Sequence, residues 1–325
     1  MKAMAITRYG GPDTIETLDM PEPVPDPGQV SITVSHAAVG LIEALIRQGV
    51  FADQVGVPRP PLVPGLEVAG TIRALGDGVN DFTVGEPVVT LSILTQGGYA
   101  EVMVASAALT VSLAGADVDP GQAVAALPNA TTAYLALSRA TSMPAAAKVL
   151  VHGATGALAS VFPGVATLLG AATVVGTVRT GDKRDMASML SFDRVILSDE
   201  LSLLGDELFD VIIDPVGGQL RLQSLDVLAP MGRLLAMGSA DSHTDSSVDT
   251  NRVWLANHGI IGFNVGLFLT MTPQYAAPAA RAVLPLLSSG AVHLPVITLP
   301  LDQAAEAHRM MDERTLPLGR VVLTL

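Results

Sequence analysis

The rhythm of hydrophobic and polar positions changes near residue 120. Before it, short apolar or alternating runs at 4–8, 30–34, 68–75, 86–91 and 99–104 have the length and spacing of strands. Breakers separate them: Pro-Asp-Pro-Gly at 25–28, Gly-Asp-Gly at 76–78 and Gly97-Gly98. One short helix is expected here, over 42–48. The proline cluster at 58–64 reads as an extended connection, because each ring removes an N–H donor and disfavours helix at the residue before it. After residue 120 the pattern becomes helix and strand in alternation. A helix over 122–141 leads into a strand at 148–152, and strands recur from 172, 194, 210, 233 and 259 with helices between most of them. This alternation predicts a parallel sheet wound with helices on both faces. The closing elements are a helix over 273–289, a strand over 296–299, an amphipathic helix over 301–311 and a strand over 321–325. They alternate too loosely to extend that sheet and are assigned back to the first domain.

The stretch 148–197 carries the most chemistry. Residues 148–152 form an apolar run suited to a strand buried on both faces, and Gly156 stands where a sharp turn would bring the backbone close to a diphosphate. The residues after it are expected to open a helix whose unpaired N–H groups attract anions. Ala154 and Ala159 occupy the first and third glycine positions of a G-x-G-x-x-G fingerprint, so an ordinary turn without a ligand is the alternative. At the end of the next strand, dinucleotide sites that prefer NAD carry an acid for the ribose 2′-hydroxyl. Here Arg179, Lys183 and Arg184 gather instead, and no carboxylate comes before Asp182. Such cations suit a 2′-phosphate, which favours NADPH, with a solvated helix start as the competing explanation.

Composition narrows the classes. The 325 residues are 49% hydrophobic with net charge −13, enough to bury a large core in two domains. An acidic balance without a basic stripe argues against nucleic acid or an anionic membrane surface as partner. No apolar run reaches the roughly eighteen residues of a membrane span, and the first ten residues lack the apolar core of a signal peptide, so a cytoplasmic protein is expected. The chain has no cysteine and its six histidines show no ligand spacing, which removes disulfides, thiolate metal sites and a Cys nucleophile and makes zinc an unexpected guest.

Several blocks then carry a resemblance over nearly the whole chain: the opening MKAMAITRYGGPDTIET, PLVPGLEVAG at 61–70, VNDFTVGEPV at 79–88, GGYAEVMV at 97–104, ALPNATTAY at 126–134, VLVHGATG at 149–156, FDVIIDPVGG at 209–218 and LAPMGRLLAMGS at 228–239. In this order they resemble the zinc-free quinone oxidoreductase branch of the medium-chain dehydrogenase/reductase superfamily. The resemblance implies an α/β protein with a GroES-like β-rich catalytic domain over 1–120, completed by 266–325, and a Rossmann doubly wound parallel sheet over 121–265. It further implies NADPH in the cleft and a homodimer. Leu66 fills the place where zinc-dependent relatives carry a His ligand.

Residue by residue, the resemblance puts Thr132 near the nicotinamide, Gly156, Ala157 and Leu158 at the diphosphate, and Lys183 at the 2′-phosphate, where the cation cluster itself adds Arg179. Val216, Gly238, Ser239, Phe263 and Val265 would line the cofactor cleft, whereas Asp214 and Gly217 read equally well as turn and capping residues. The family's G-V-N-P-x-D segment is Ala38, Val39, Gly40, Leu41, Ile42, Glu43 here, so the asparagine that faces substrate is replaced by Gly40. Ser198 replaces a tyrosine expected after the third strand of the sheet. Pro163-Gly164 interrupts the helix after the diphosphate turn, so that helix is either bent or displaced at its start.

The chemistry expected is hydride transfer from NADPH to a quinone or to the C=C bond of a conjugated carbonyl compound, a polyketide or other specialised metabolite among them. Such substrates disperse the developing charge without a Lewis acid. The pocket would be apolar, with Gly40, Leu41, Ile42, Phe51 and Phe268 at its edge. Solvent, Tyr134 or Glu43 would supply the proton, Glu43 competing with a role as a surface or ion-paired helix residue. His36, Tyr99 and His152 have strand or core explanations. The alternative is a non-redox cyclase or ligand-binding pseudoenzyme on the same scaffold, prompted by Gly40 and Pro163.

Overall fold

The computed structural model describes residues 1–53, 58–91, 96–241 and 247–325, which divide into two compact units. The first comprises Met1–Pro128, Leu269–Ser288 and Leu294–Leu325, and the second Asn129–Phe268 and Ser289–His293.

In the first unit, β1 (Lys2–Ile6) pairs antiparallel with β2 (Ile15–Asp19). The larger sheet uses β3 (Gln29–Ala38), β4 (Val68–Leu75), β5 (Pro87–Thr90), β6 (Val102–Ser106) and β7 (Thr110–Ser112). Two strands from the far end of the chain, β14 (Val296–Pro300) and β15 (Arg320–Thr324), complete it in the order β14-β15-β3-β4-β5-β7, with β6 also on β3. The closing segment therefore returns to the first sheet, as its loose alternation suggested. β2 and β7 escape sequence reading: β2 alternates poorly because most of it faces solvent, and β7 is three residues long. Inward-facing Ile32, Val68, Ile72, Met103, Val321 and Leu323 are fully buried and form one apolar cluster, the force that fixes register.

Helix α1 (Leu41–Gln48) starts after Gly40 and ends on Gly49 in the left-handed region, φ 81°. Its last turn holds a fully buried Arg47. That guanidinium donates to Gly10 O at 2.5 Å, to Asp312 Oδ2 at 2.6 Å and to His308 Nδ1 at 3.2 Å. Because Arg47 can only donate, His308 Nδ1 must accept, and its Nε2–H then donates to Tyr99 Oη at 3.2 Å. Burial and the adjacent cation push His308 down to about 3, so the ring is neutral at physiological pH.

Helix α2 (Pro120–Leu135) contains Pro128 and passes into a π-helical turn over Ala136–Ala140, a shorter α-helix than the 122–141 expected. The second unit follows with β8 (Lys148–His152), α3 (Phe162–Leu168), β9 (Thr173–Val178), α4 (Gly181–Ala187), β10 (Arg194–Leu197), β11 (Phe209–Asp214), α5 (Gly218–Ser224), β12 (Leu228–Ala236), α6 (Thr250–Leu255), β13 (Gly259–Gly262) and α7 (Val265–Met271), the last ending in the first unit. The sheet is parallel throughout, in the order β10-β9-β8-β11-β12-β13. Val149, Leu150, Val151, Val211, Ile212 and Ile213 are all buried, as central parallel strands covered on both faces require.

Of the two outcomes expected for Pro163-Gly164, the structure takes the displaced start. A 3-10 turn, Ala159–Val161, precedes α3, and Pro163 falls at its second position, where a missing N–H costs nothing. Gly164 has a packing role, since a Cβ there would stand 2.5 Å from Ala291 O. In the first unit, α8 (Ala276–Ser288) and α9 (Ala304–Asp312) are each introduced by a 3-10 turn, Pro273–Tyr275 and Leu301–Gln303.

Removing Arg47 would leave buried acceptors unpaired. Arg47→Ala is expected to lower unfolding free energy by about 3–5 kcal/mol, whereas Asp312→Asn, at a partly exposed partner, should cost about 1 kcal/mol or less. Urea titration of both variants checks this, and an Arg47→Ala protein as stable as wild type would contradict it.

Candidate functional site

Strand order reverses between β8 and β11, and in such sheets the loops at the carboxyl ends on either side of the reversal part to leave a crevice. The turn after β8 differs from the one expected. Its left-handed residue is Gly153, φ 68°, not Gly156, whose backbone is ordinary. Gly156 instead closes the turn: its N–H donates to Gly153 O at 2.8 Å and its carbonyl accepts Ser160 N–H at 2.9 Å. A Cβ on Gly153 would also stand 3.1 Å from Val216 Cγ2, so this glycine serves both turn and close approach. Ala154 fits at the first fingerprint position because its neighbour on β9 is Gly176, whose own Cβ would lie 2.7 Å from that of Ala154. The displaced start of α3 leaves Ala157 and Leu158 in the loop.

The loops after β11 and β12 are tied together by main chain. Asp214 Oδ1 accepts the N–H groups of Val216 and Gly217 at 2.9 and 2.8 Å, and Oδ2 accepts Arg221 Nε at 2.5 Å. Asp214 is thus a turn former, one of its two expected readings. Arg221 Nη2 reaches Gly238 O at 2.6 Å, and Ala240 and Asp241 donate their N–H groups to Pro215 O and Val216 O at 3.2 and 3.0 Å. Gly156, Ala157, Leu158, Val216, Gly238 and Ser239 therefore share one edge of the sheet. Phe263 and Val265 follow β13 at the same edge, with Phe263 against Phe268 at a ring separation of 5.7 Å. Thr132 lies on α2, outside these strand-end loops.

The cations after β9 have unequal surroundings. Arg184 Nη1 lies 3.6 Å from Glu200 Oε1, and Arg179 Nη1 lies 3.6 Å from Asp241 Oδ1. The sequence expectation that Arg179 has no neighbouring acid is corrected here: Asp241 is 62 positions away along the chain and arrives only through folding. Among the described residues Lys183, on α4, has no ion-pair partner.

Beneath this edge His152 is fully buried. Ser224 Oγ donates to Leu220 O at 2.7 Å, so His152 Nε2–H must donate to Ser224 Oγ at 2.7 Å, and Nδ1 accepts from Thr177 Oγ1 at 2.9 Å. Burial pushes the imidazole down to about 4, and the neutral ring ties β8, β9 and α5 together. Its expected core role stands.

In the first unit, Glu43 is corrected from helix surface to interior, with only 2% of its surface exposed. Its Oε1 accepts Leu66 N–H at 3.3 Å. Its Oε2 approaches Gly40 so closely that a Cβ built on Gly40 would lie 2.7 Å from it, and that Cβ would stand 3.3 Å from Arg320 Nη2. Arg320 Nη2 pairs with buried Glu67 Oε2 at 2.5 Å, and Nε and Nη1 donate to Val39 O and Ala125 O at 3.2 and 3.3 Å. Desolvation, then the Glu67 charge, raises Glu43 to about 7 against the opposing pull of Arg320. Leu41 and Ile42 are exposed, Phe51 packs on this unit's core, and Tyr134 and Phe268, in the second unit, are half-buried. These side chains do not fit a zinc ion. Leu66 is apolar, both carboxylates are engaged, and the Arg320 guanidinium would repel a dication.

The alcohol dehydrogenase GroES-like domain family matches residues 26–115 and the zinc-binding dehydrogenase family residues 169–323. A quinone oxidoreductase from Homo sapiens is 30% identical over 335 residues, covering all of this chain and 98% of that protein. The chain belongs to the quinone oxidoreductase-like branch of the medium-chain dehydrogenase/reductase superfamily. Within that branch, a 2-haloacrylate reductase from a Burkholderia species is 29% identical over 338 residues, 99% of this chain and 98% of that one. A mycobacterial protein solved in complex with NADPH superposes with a TM-score of 0.87 at 28% identity, both chains fully covered. This quinone oxidoreductase-like chain keeps a GroES-like β domain and a Rossmann sheet, while its sequence lacks the ligands that the zinc-binding family's name suggests.

The raised Glu43 carboxyl has a defined pH signature. Its folded state holds the proton more tightly than the unfolded chain, so its stabilisation is fully present below pH 4.5 and is lost as pH rises through 7. Glu43→Gln should therefore gain stability relative to wild type between pH 5 and pH 8, by about 3 kcal/mol at most. Denaturant titrations at the two pH values check this; a difference independent of pH would mean that Glu43 is ionised throughout.

Proposed function

We propose that this protein is a zinc-independent, NADPH-dependent oxidoreductase that reduces a quinone or the C=C bond of a conjugated carbonyl compound. The observation that carries the reading is the reversal of strand order in the parallel sheet, with small residues and main-chain bonds at its carboxyl edge and Lys183 of α4, which has no ion-pair partner among the described residues, beside the end of β9. The relatives named as quinone oxidoreductase and 2-haloacrylate reductase, and the similar protein solved with NADPH, support it.

The residues of the crevice fit the cofactor. Gly153 and Gly156 keep side chains out of the turn; with the Gly156 N–H turned to Gly153 O, a diphosphate drawn up against Gly156 would be met by the N–H groups of Ala157 and Leu158. Lys183, with Arg179, would meet the 2′-phosphate. Val216, Gly238, Ser239, Phe263, Val265 and Thr132 would hold the remainder. When bound, NADPH supplies a hydride from C4 of its nicotinamide. The protein contributes orientation and exclusion of water; in the first unit Leu41, Ile42 and Phe51, and in the second Phe268, are apolar side chains of the kind an apolar conjugated substrate needs. Glu43 is the better proton-holding candidate: Oε1 accepts Leu66 N–H, which leaves Oε2, on the Gly40 side, to carry the proton near neutral pH. Tyr134 is the second candidate. The non-redox alternative loses one of its two supports, since Pro163 sits harmlessly in the first turn of α3.

The open edge at β13, together with Trp254 and Leu255 of α6, each 71% exposed, supports assembly as a homodimer through this face.

Fluorescence titration should show NADPH binding tighter than NADH, and Lys183→Ala should weaken NADPH about tenfold, a loss of about 1.4 kcal/mol, while leaving NADH unchanged. Purified protein should oxidise NADPH against a panel of quinones and α,β-unsaturated carbonyl compounds, at a rate that chelators leave intact. Failure to bind NADPH at millimolar concentration, or activity that a chelator abolishes and only zinc restores, would reject the reading.

A further inference from the structure

The ion pair between Arg179 and Asp241 links parts of the second unit that the sheet holds apart. Arg179 follows β9, whereas Asp241 follows β12, and β8 and β11 lie between them. Adjacent strands are separated by about 4.8 Å, so the two loops start from positions roughly 14 Å apart. For the side chains to meet at 3.6 Å, the segment after β12 leans towards the carboxyl end of β11, and the two side chains span the rest of the way, past the reversal of strand order. Main-chain bonds hold it there, since Ala240 and Asp241 donate to Pro215 O and Val216 O at the end of β11. The other paired cation of this region is different. Arg184 meets Glu200, which directly follows β10, the immediate neighbour of β9, and so spans nothing.

A carboxylate anchored across this mouth bears directly on which dinucleotide enters. We propose that Asp241 is a cofactor-specificity residue that weakens binding of the 2′-phosphate, by occupying Arg179 and by like-charge repulsion, and so narrows the preference for NADPH over NADH. The inference rests on the crevice being the cofactor site. Lys183, which has no ion-pair partner among the described residues, supplies the attraction to the phosphate, and Asp241 opposes it. NADH has a hydroxyl in place of the 2′-phosphate and so nothing for a released Arg179 to pair with; whatever the segment itself does to entry it does to both dinucleotides, and does equally with Asp or Asn at 241. Both partners are exposed, Arg179 at 68% and Asp241 at 54%, so the effect is moderate and screened by salt.

The test is fluorescence titration of wild type and Asp241→Asn with NADPH and with NADH, at low and at high salt. Asparagine keeps the size of the side chain and the main-chain bond to Val216, and this exposed position does not threaten folding. Asp241→Asn should bind NADPH about three- to fivefold more tightly at low salt, with the gain shrinking at high salt and NADH affinity unchanged. An unaltered ratio of NADPH to NADH affinity in a wild type that binds both would overturn the role of Asp241 alone. Absence of NADPH binding by either protein would overturn the cofactor reading, and this inference with it.

Discussion

A parallel sheet buried on both faces leaves its strands one place to present chemistry, the loops at their carboxyl ends, and everything functional in the second unit follows from that constraint. Interior residues of β8 and β11 are fully apolar, so recognition of a polar ligand falls to backbone beyond their ends. The reversal between these strands parts the loops, and the loops after β11 and β12 are then braced by Asp214, Arg221 and main-chain bonds. Small residues at this edge are consequences of backbone meeting backbone. Gly153 packs against Val216, and Ala154 is accommodated because Gly176 stands opposite. A glycine fingerprint is thus partly a statement about neighbouring strands, and one missing glycine can be offset by another placed across the sheet.

Polar groups in the interior obey a second constraint: they must be neutral or paired. His152 and His308 are both driven to the neutral form, and the donors around each ring leave one tautomer that satisfies them. Arg320 and Glu67 form a buried pair, and Glu43 beside them carries the leftover negative charge, which burial discourages by raising its proton affinity. The space for its carboxyl comes from Gly40. The glycine at this position and the long acidic side chain three residues later are therefore one arrangement: a residue with a Cβ at 40 would have to push Glu43 away.

Much of this was legible in residue order. Regular alternation of helix and strand announced β8, β9 and β11, and the looser pattern beyond residue 273 the return of β14 and β15 to the first sheet, because period and burial are coupled wherever a strand is covered. Short or solvent-facing strands gave no such signal, which is why β2 and β7 were invisible. Pro163 marked a real irregularity, yet its outcome depended on where the helix began, and packing of Gly164 against Ala291 bears on that choice. Gly153 directly follows β8 yet lies outside the fingerprint spacing that singles out Gly156, because backbone dihedrals are not written in a spacing.

The sequence alone determined the fold class, the gathering of cations after β9 and the absence of cysteine, since each depends on residue type at short range or on periodicity. Only the tertiary structure decided what those residues face. It brought Asp241 to Arg179, Arg320 to Glu67 across 253 positions, and Arg47 to His308 across 261, and it buried Glu43, which residue order left open between a proton donor and a surface or ion-paired helix residue. Charge and proton affinity depend on the distance between groups and on how far water is excluded, and both are set when distant segments pack.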